Sequence, residues 1–281
     1  VKQNIVRAIW PESKPKPMQI SCLMVTQASR FEWVQLAVAD FCAQTYAERD
    51  LLIIHDSGTG FDDALKHWIA TASACAKELK RIAVKRVPAG QTLGALRNQS
   101  VQMATGDLVC QWDDDDRYHP MRLALQAEKL RAADADFCFL RDQLHGFVSD
   151  KTLCWDDWNV EPYPLNFVQG TLLGKRDKMP RYPEIERGED TGLCLAILNE
   201  GHRVTRLRHH GWCYIYTFHG DNVWGDQHHQ SISSTKRMPL AFVVGKSKEL
   251  RARLAEYINL PGYQQILAGN SGIPVPGDQR G

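Results

Sequence analysis

The chain has 281 residues, 43% of them apolar and 24% charged, ordinary proportions for a folded, enzyme-sized protein. Its 34 lysines and arginines against 33 acidic residues leave a formal charge of +1, so no broad positive field exists to hold a nucleic acid, and any phosphate site is local. Uncharged stretches such as residues 19–29 fall far short of the ~20 apolar residues of a membrane-spanning helix. The opening VKQNIVRAIWPESKPKP has no apolar signal core and reads as a loose arm over 1–18. A cytoplasmic protein is expected.

Along the chain, short apolar runs alternate with helix-period segments. Ile20–Val25 reads as a strand, and 31–44 as a helix with Phe31, Val34, Val38 and Phe41 on one face. Leu51–His55 is the next strand, followed by a helix over 62–79. Strands at 82–87 and 107–112 are separated by a helix at 92–104, and a further helix spans 120–133. These strands are almost continuously apolar, as they are when helices cover both faces of a parallel sheet, and the alternation predicts an α/β fold with right-handed crossovers. Beyond residue 135 the rhythm loosens: shorter strands are expected at 137–140, 147–148, 153–155 and 168–173, with an aromatic loop over 154–167. A helix follows Gly188, and a strand at 212–218 ends at His219. The tail from 226 holds one expected helix, 246–259, and then a Gly/Pro-rich end expected to fray. The basic residues Lys246, Lys248, Arg251 and Arg253 read as a solvated helix face. The eight cysteines are widely spaced, without a CxxC pair, and read as buried reduced thiols.

The sharpest chemical feature is QWDDDDRYHP, residues 111–120. Four adjacent carboxylates after an apolar strand repel one another, and a divalent cation with a preference for oxygen ligands would relieve that. The bland alternative is an acidic turn before a helix. An EF-hand is excluded, since Tyr118 stands where its glycine belongs and Ala124 where its last acidic ligand does. Glu189-Asp190 opens a helix, where either residue could simply cap free amides. The neighbours His209-His210 and His228-His229 would face opposite ways in a strand, which makes a zinc site from them unattractive. Trp155, Trp158 and Trp224 could stack on sugar rings or pack the core.

Four segments in order carry a specific resemblance: CLMVTQASR at 22–30, QTYAERDLLIIHDSG at 44–58, GALRNQSVQMATGDLVCQWDDDDRYHPMRL at 94–123 and RGEDTGLCLAILNEG at 187–201. Together they resemble an inverting glycosyltransferase of family 2, over residues 19–224. Val25 and Ala28 stand where the family has Pro and Asn, His55 where it has the first Asp of a DDG turn, and Leu96 where alanine is common before Arg-Asn. The resemblance implies a GT-A (Rossmann-like), mostly parallel sheet flanked by helices, with a small mixed acceptor region. The catalytic domain would span 19–225, its nucleotide-binding half 19–120 and its acceptor half 121–225, with a C-terminal helical extension over 226–281.

The same resemblance implies a nucleotide-sugar donor, foremost a UDP-sugar, and Mn2+ or Mg2+. Asp115, in the Asp113-x-Asp115 run, would be the metal ligand, joined by His219 of the His-Gly-x-Asn-x-Trp segment. Asp113 or Asp114 would lie near the ribose or sugar. Thr26, Asp56 and Arg97 would line the nucleotide, Asp56 accepting from a base N–H. Asp190 would be the general base and Glu189 would position the acceptor, a glycan or lipid-linked hydroxyl of the kind used in polysaccharide biosynthesis. With a lipid-linked acceptor, contact with the inner face of the membrane would follow. Two other readings of the residues stand beside this one: a Mg2+-dependent phosphatase or nucleotidyltransferase using the aspartates, and a non-catalytic nucleotide-sugar-binding module.

Overall fold

The computed structural model describes residues 17–260, 262–268 and 271–274. Its elements run β1 (Ile20–Thr26), α1 (Phe31–Cys42), β2 (Arg49–His55), α2 (Thr59–Thr71), β3 (Ile82–Arg86), α3 (Leu93–Met103), β4 (Leu108–Gln111), β5 (Arg117–Tyr118) and α4 (Arg122–Ala132). The second half adds β6 (Phe137–Leu140), β7 (Asp142–Phe147), β8 (Thr152–Asp157), β9 (Val168–Lys175), α5 (Glu189–Asn199), β10 (Val204–Leu207), β11 (Tyr214–Phe218), α6 (Asp226–Lys236), α7 (Leu240–Leu254), β12 (Gln265–Ala268) and β13 (Ser271–Pro274).

Seven strands form one sheet in the order β10-β6-β9-β4-β1-β2-β3, and β9 alone runs antiparallel to its neighbours. The continuous apolar strands serve two cores. Cys22, Met24, Ile53 and Cys110 pack with Val34, Val38 and Phe41 of α1 and with Leu123 and Leu130 of α4. Leu23, Leu52, Val109 and Phe139, one residue out of phase, pack with Leu96 of α3 and with Leu193 and Ile197 of α5. That is the period-two division of a sheet covered on both faces. A second, mixed sheet runs β13-β12-β8-β7-β11-β5.

Several elements differ from the expectations. The helix expected over 62–79 stops at Thr71: Ala72 is extended, and two short 3-10 turns bring buried Cys75 against Cys42, sulfur to sulfur 3.4 Å. All eight cysteines carry free thiols. The aromatic stretch 154–167 begins inside β8, and Trp155 is buried there. β7 is longer than expected, and β10 and α6 were not anticipated. His228 and His229 lie on α6 rather than on a strand. The helix expected at 246–259 begins after Pro239 and ends at Leu254. On it, Lys246 pairs with Glu249 at 2.8 Å, as on a solvated face, whereas Arg253, paired with Glu256 at 3.1 Å, packs over buried Trp212 with its guanidinium 4.5 Å from the ring centroid. Part of the tail expected to fray forms the β12–β13 hairpin, with β12 laid parallel along β8. The rest of it, 275–281, and most of the expected arm, 1–16, lie outside the described residues. No helix among the described residues is long and apolar enough to cross a membrane.

Two glycines set how closely the site-bearing helices approach their connecting loop. A Cβ on Gly94 of α3 would stand 1.8 Å from the Pro183 carbonyl oxygen, and one on Gly192 of α5 would stand 2.5 Å from Pro183 Cγ. Pro183 is thus wedged between both helices. Gly94→Ala is expected to cost about 1–3 kcal/mol, the range for overpacking a close contact, read as a lower urea midpoint at unchanged slope. Gly58→Ala, where no atom lies within 4 Å of the new Cβ, should leave that midpoint in place.

Candidate active site

The site lies beyond the carboxyl end of β4, where ligand crevices of open α/β sheets form. Trp112 Nε1 donates to the Ala37 carbonyl at 3.0 Å, pinning the strand end to α1. The four aspartates follow, and the chain then enters β5, which pairs antiparallel with β11 in the register Tyr118 with Tyr214 and Arg117 with Ile215. This pairing carries the acidic loop from the first sheet to the second and brings it beside the residues just after β11. The loop is anchored by a buried fork: Arg117 Nε and Nη2 donate to Asp40 of α1 at 2.8 and 3.0 Å, and the Tyr118 amide donates to Asp40 Oδ2 at 2.9 Å. Arg117 also donates to the carbonyls of Ile258 and Asn259, beyond α7.

The four carboxylates have separate surroundings. Asp116 is 2% exposed and accepts from the Tyr214 hydroxyl and, at 2.9 Å, from the Thr217 amide. Burial and the charges of Asp115 and Asp113 push its carboxyl well above the usual range, so it serves as a structural acceptor. Asp115 Oδ2 takes three neighbours: Arg30 Nη1, His219 Nε2 at 3.3 Å and Asn222 Nδ2 at 3.2 Å. Burial opposes its ionisation, yet His219 and Arg30 outweigh burial and hold it below the usual range. Asp114 accepts from Arg30 at 3.0 Å through Oδ1. Burial and the adjacent Asp115 raise its pKa to about 7 against the opposing pull of Arg30 and the Thr26 hydroxyl. Thr26, at the end of β1, lies against Asp114.

Asp113 belongs to a second cluster. Its Oδ2 accepts from Gln111 Nε2 at 2.9 Å, its Oδ1 from Arg97 Nη2 at 2.8 Å, and Arg97 Nε reaches Glu189 Oε1 at 2.8 Å. Arg97, 7% exposed on α3, therefore ties the acidic loop to the first turn of α5. That turn is reached through Gly188, whose φ of +76° is left-handed, a conformation glycine adopts at no steric cost. Asn98, next to Arg97, clamps the Tyr182 backbone with bonds of 2.9 and 2.8 Å, which fixes the segment leading to that glycine. Asp190 stands beside Glu189, and desolvation and the Glu189 charge raise its pKa to about 6 against the opposing pull of Arg97.

Six of the sequence-designated residues thus converge in two linked clusters: Asp114, Asp115 and His219 in one, Asp113, Arg97 and Glu189 in the other, with Asp190 and Thr26 at their edges. Asp56 stands apart at the end of β2, one strand further out, where its Oδ2 accepts from the Gly90 amide at 3.2 Å. His55 turns away from the crevice to Asp62 of α2, at 3.1 Å. Of the three tryptophans, Trp155 packs the core, Trp158 lies under the Lys236 ammonium, and Trp224, 40% exposed, stacks on His228.

Residues not singled out from sequence also form the site. Trp33 stacks on His219 with ring centroids 4.4 Å apart. Arg30 and Asn222 bond Asp115, and Tyr216 lies within electrostatic reach of Asp113, Asp115, Asp116 and Asp190. Asn222 lies in the His-Gly-x-Asn-x-Trp segment and Arg30 ends the CLMVTQASR segment, but neither position by itself points to a contact with Asp115.

The mostly parallel sheet with an acidic loop at its carboxyl edge and a second mixed sheet is the GT-A glycosyltransferase fold. The match to solved structures shows the same architecture. TarS 1–349 from S. aureus in complex with UDP superposes with a TM-score of 0.55 at 14% identity, covering 78% of this chain and 70% of that one. The same protein in complex with UDP-GlcNAc gives 0.56 at 13%, covering 86% and 68%. The mannosyltransferase PcManGT from Pyrobaculum calidifontis, in complex with GDP-Man and Mn2+, gives 0.56 at 12%, covering 88% and 78%. No curated protein sequence shows significant similarity. The glycosyl transferase family 2 model matches residues 21–162, just over half of the chain; the protein belongs to that family and is a glycosyltransferase.

Proposed function

We propose that the protein transfers a sugar from a nucleotide donor, a UDP-sugar, to a hydroxyl of a glycan or lipid-linked acceptor with inversion at the anomeric carbon. The observation that carries this is the Arg97 bridge between Asp113 and Glu189. It ties the loop assigned to the donor to the helix turn that carries Asp190, a carboxylate with a raised pKa. Asp190 takes the acceptor's hydroxyl proton as the oxygen attacks, a task suited to a base whose pKa lies near 6. Glu189, held by Arg97, positions the acceptor at the same turn. Asp113 and Asp114 accept hydrogen bonds from ribose or sugar hydroxyls, and Thr26 and Asp56 line the base, with Asp56 Oδ1 assigned to a base N–H.

Among the described residues no three His, Cys, Asp or Glu side chains converge as a ready-made metal cage. The donor set nonetheless fits a cation completed by its substrate: Asp115 and His219 supply one oxygen and one nitrogen, 3.3 Å apart, and Asp114 shares Arg30 with Asp115. Mn2+ or Mg2+ held by Asp115 and His219 would supply Lewis-acid neutralisation of the departing diphosphate. UDP is preferred as the carrier because one fold neighbour, TarS, was solved with UDP and with UDP-GlcNAc, although PcManGT holds GDP-Man. We assign 19–120 to the nucleotide and 121–225 to the acceptor, with 226–281 as an extension of the acceptor side. A lipid-linked acceptor would bring that side to the inner face of the membrane.

Calorimetric titration of UDP into the protein with Mn2+, repeated in EDTA, tests the donor assignment. Metal-dependent UDP binding is expected. Binding of GDP or CDP in its place would overturn the choice of base, and binding of none of the three would overturn the nucleotide-sugar reading.

A further inference from the structure

A cation of the protein's own already stands at the carboxylates assigned to the metal. Arg30 closes the 3-10 turn Ala28–Arg30 that leads into α1. A single nitrogen, Nη1, donates to Asp114 Oδ1 at 3.0 Å and to Asp115 Oδ2. The side chain is only 11% exposed, so its charge is poorly screened by solvent. Three residues on, Trp33 stacks on His219 at an interplanar angle of 23°, and residues three apart share a helix face. One turn of chain therefore grips both proposed ligands, Asp115 by charge and His219 by its ring.

The atom Arg30 covers is the one a metal would need. Asp115 Oδ2 receives Arg30, His219 and Asn222 together, which leaves that oxygen little capacity for a further ligand. A divalent ion arriving alone would face both a blocked oxygen and the repulsion of a buried guanidinium. An ion arriving with a diphosphate would not, because the guanidinium can exchange two carboxylates for phosphate oxygens, which its fork matches equally well.

We propose that Arg30 is a displaceable internal cation, holding Asp114 and Asp115 in place and excluding bare metal, and yielding only to a metal that arrives with the donor's diphosphate, onto which its guanidinium then turns. Arg30 is thereby a positioning and donor-binding residue, and loading of the site is coupled: neither metal nor diphosphate settles alone. This inference rests on the assignment of Asp115 and His219 to the metal.

The test follows free Mn2+ by electron paramagnetic resonance as it is titrated into the wild type, Arg30→Gln and Arg30→Lys, and then measures UDP binding at saturating Mn2+ by calorimetry. Arg30→Gln is expected to bind Mn2+ alone about tenfold more tightly than the wild type, through relief of charge repulsion. It should bind UDP in the presence of Mn2+ about five- to tenfold more weakly, through loss of a charge-assisted phosphate contact. Arg30→Lys, which keeps the charge without the fork, should exclude bare Mn2+ as the wild type does and lose UDP affinity. Bare-Mn2+ affinity that is unchanged or weaker in Arg30→Gln, with Mn2+-dependent UDP binding intact in the wild type, would overturn the role of Arg30 alone. Absence of nucleotide binding by the wild type itself would overturn the donor assignment, and this inference with it.

Discussion

Asp190→Asn should abolish transfer while leaving the donor bound: turnover falls about 10²–10⁴-fold, the range for losing a positioned general base, and calorimetric affinity for the nucleotide stays within about twofold, since no donor contact is removed. The substitution is nearly isosteric, so the Thr191 amide that donates to Asp190 at 2.7 Å keeps an acceptor, and the turn at Gly188 is undisturbed. The pH profile supplies a second reading. With the pKa raised to about 6 by desolvation and Glu189, the carboxylate form needed to accept a proton is lost as pH falls through that value. Wild-type turnover should therefore rise from pH 5 to 7, with its half-maximum near 6, and the residual turnover of Asp190→Asn should lack that rise. Full activity of the variant, or the same pH limb in it, would remove Asp190 from the role of base.

Asp115→Asn carries the other large effect. Among the four aspartates Asp115 is held below the usual carboxylate range despite burial, because His219 and Arg30 face it, and it is the one carboxylate in reach of a histidine at the crevice. Losing its charge should weaken Mn2+-dependent nucleotide binding on the order of a hundredfold or more, as a metal–ligand contact is worth several kcal/mol. Asp116→Asn provides the contrast. Its carboxyl is tied to Tyr214 and Thr217 and is pushed toward the neutral form, so neutralising it should move folding stability more than nucleotide affinity. Equal losses of nucleotide affinity in the two variants would show that the run acts as a diffuse acidic patch.

The fold was legible wherever burial on both sides of a strand left an unbroken apolar run, as in β1, β2 and β6. It was hidden where polar residues are buried and satisfied by one another. In β7 only Phe147 reads as strand, because Asp142, Gln143 and His145 precede it, yet Asp142 accepts from Trp155 Nε1 at 2.7 Å and from the Gly211 amide at 2.8 Å, and His145 bonds Asp156 and His229 at 3.0 and 2.9 Å. α6 carries two histidines, two glutamines and four Ser or Thr residues, a composition without an apolar stripe, and is held by buried His229, Ile232 and Ser233. In the site, the aspartate run and Glu189-Asp190 were legible because chemistry and sequence adjacency coincide there. Arg30 and Trp33 were not. An arginine three residues before a tryptophan reads as an ordinary helix start, and only the parallel pairing of β1 with β4, Leu23 opposite Gln111, lays that start over residues 114 and 115.

The fork of Arg117 has a consequence for the last quarter of the chain. Its guanidinium is shared between Asp40 in the first helix and the carbonyls of Ile258 and Asn259, while β12, a few residues later, completes the edge of β8. The tail is thus a tie beam beneath the acidic loop. A version of the protein cut after Trp224 would keep every residue assigned to catalysis, His219 included, and still lose both the backbone carbonyls that brace Arg117 and the strand that covers the second sheet's edge. For this chain the smallest unit that can hold its own carboxylates in register extends well past the last residue of the crevice.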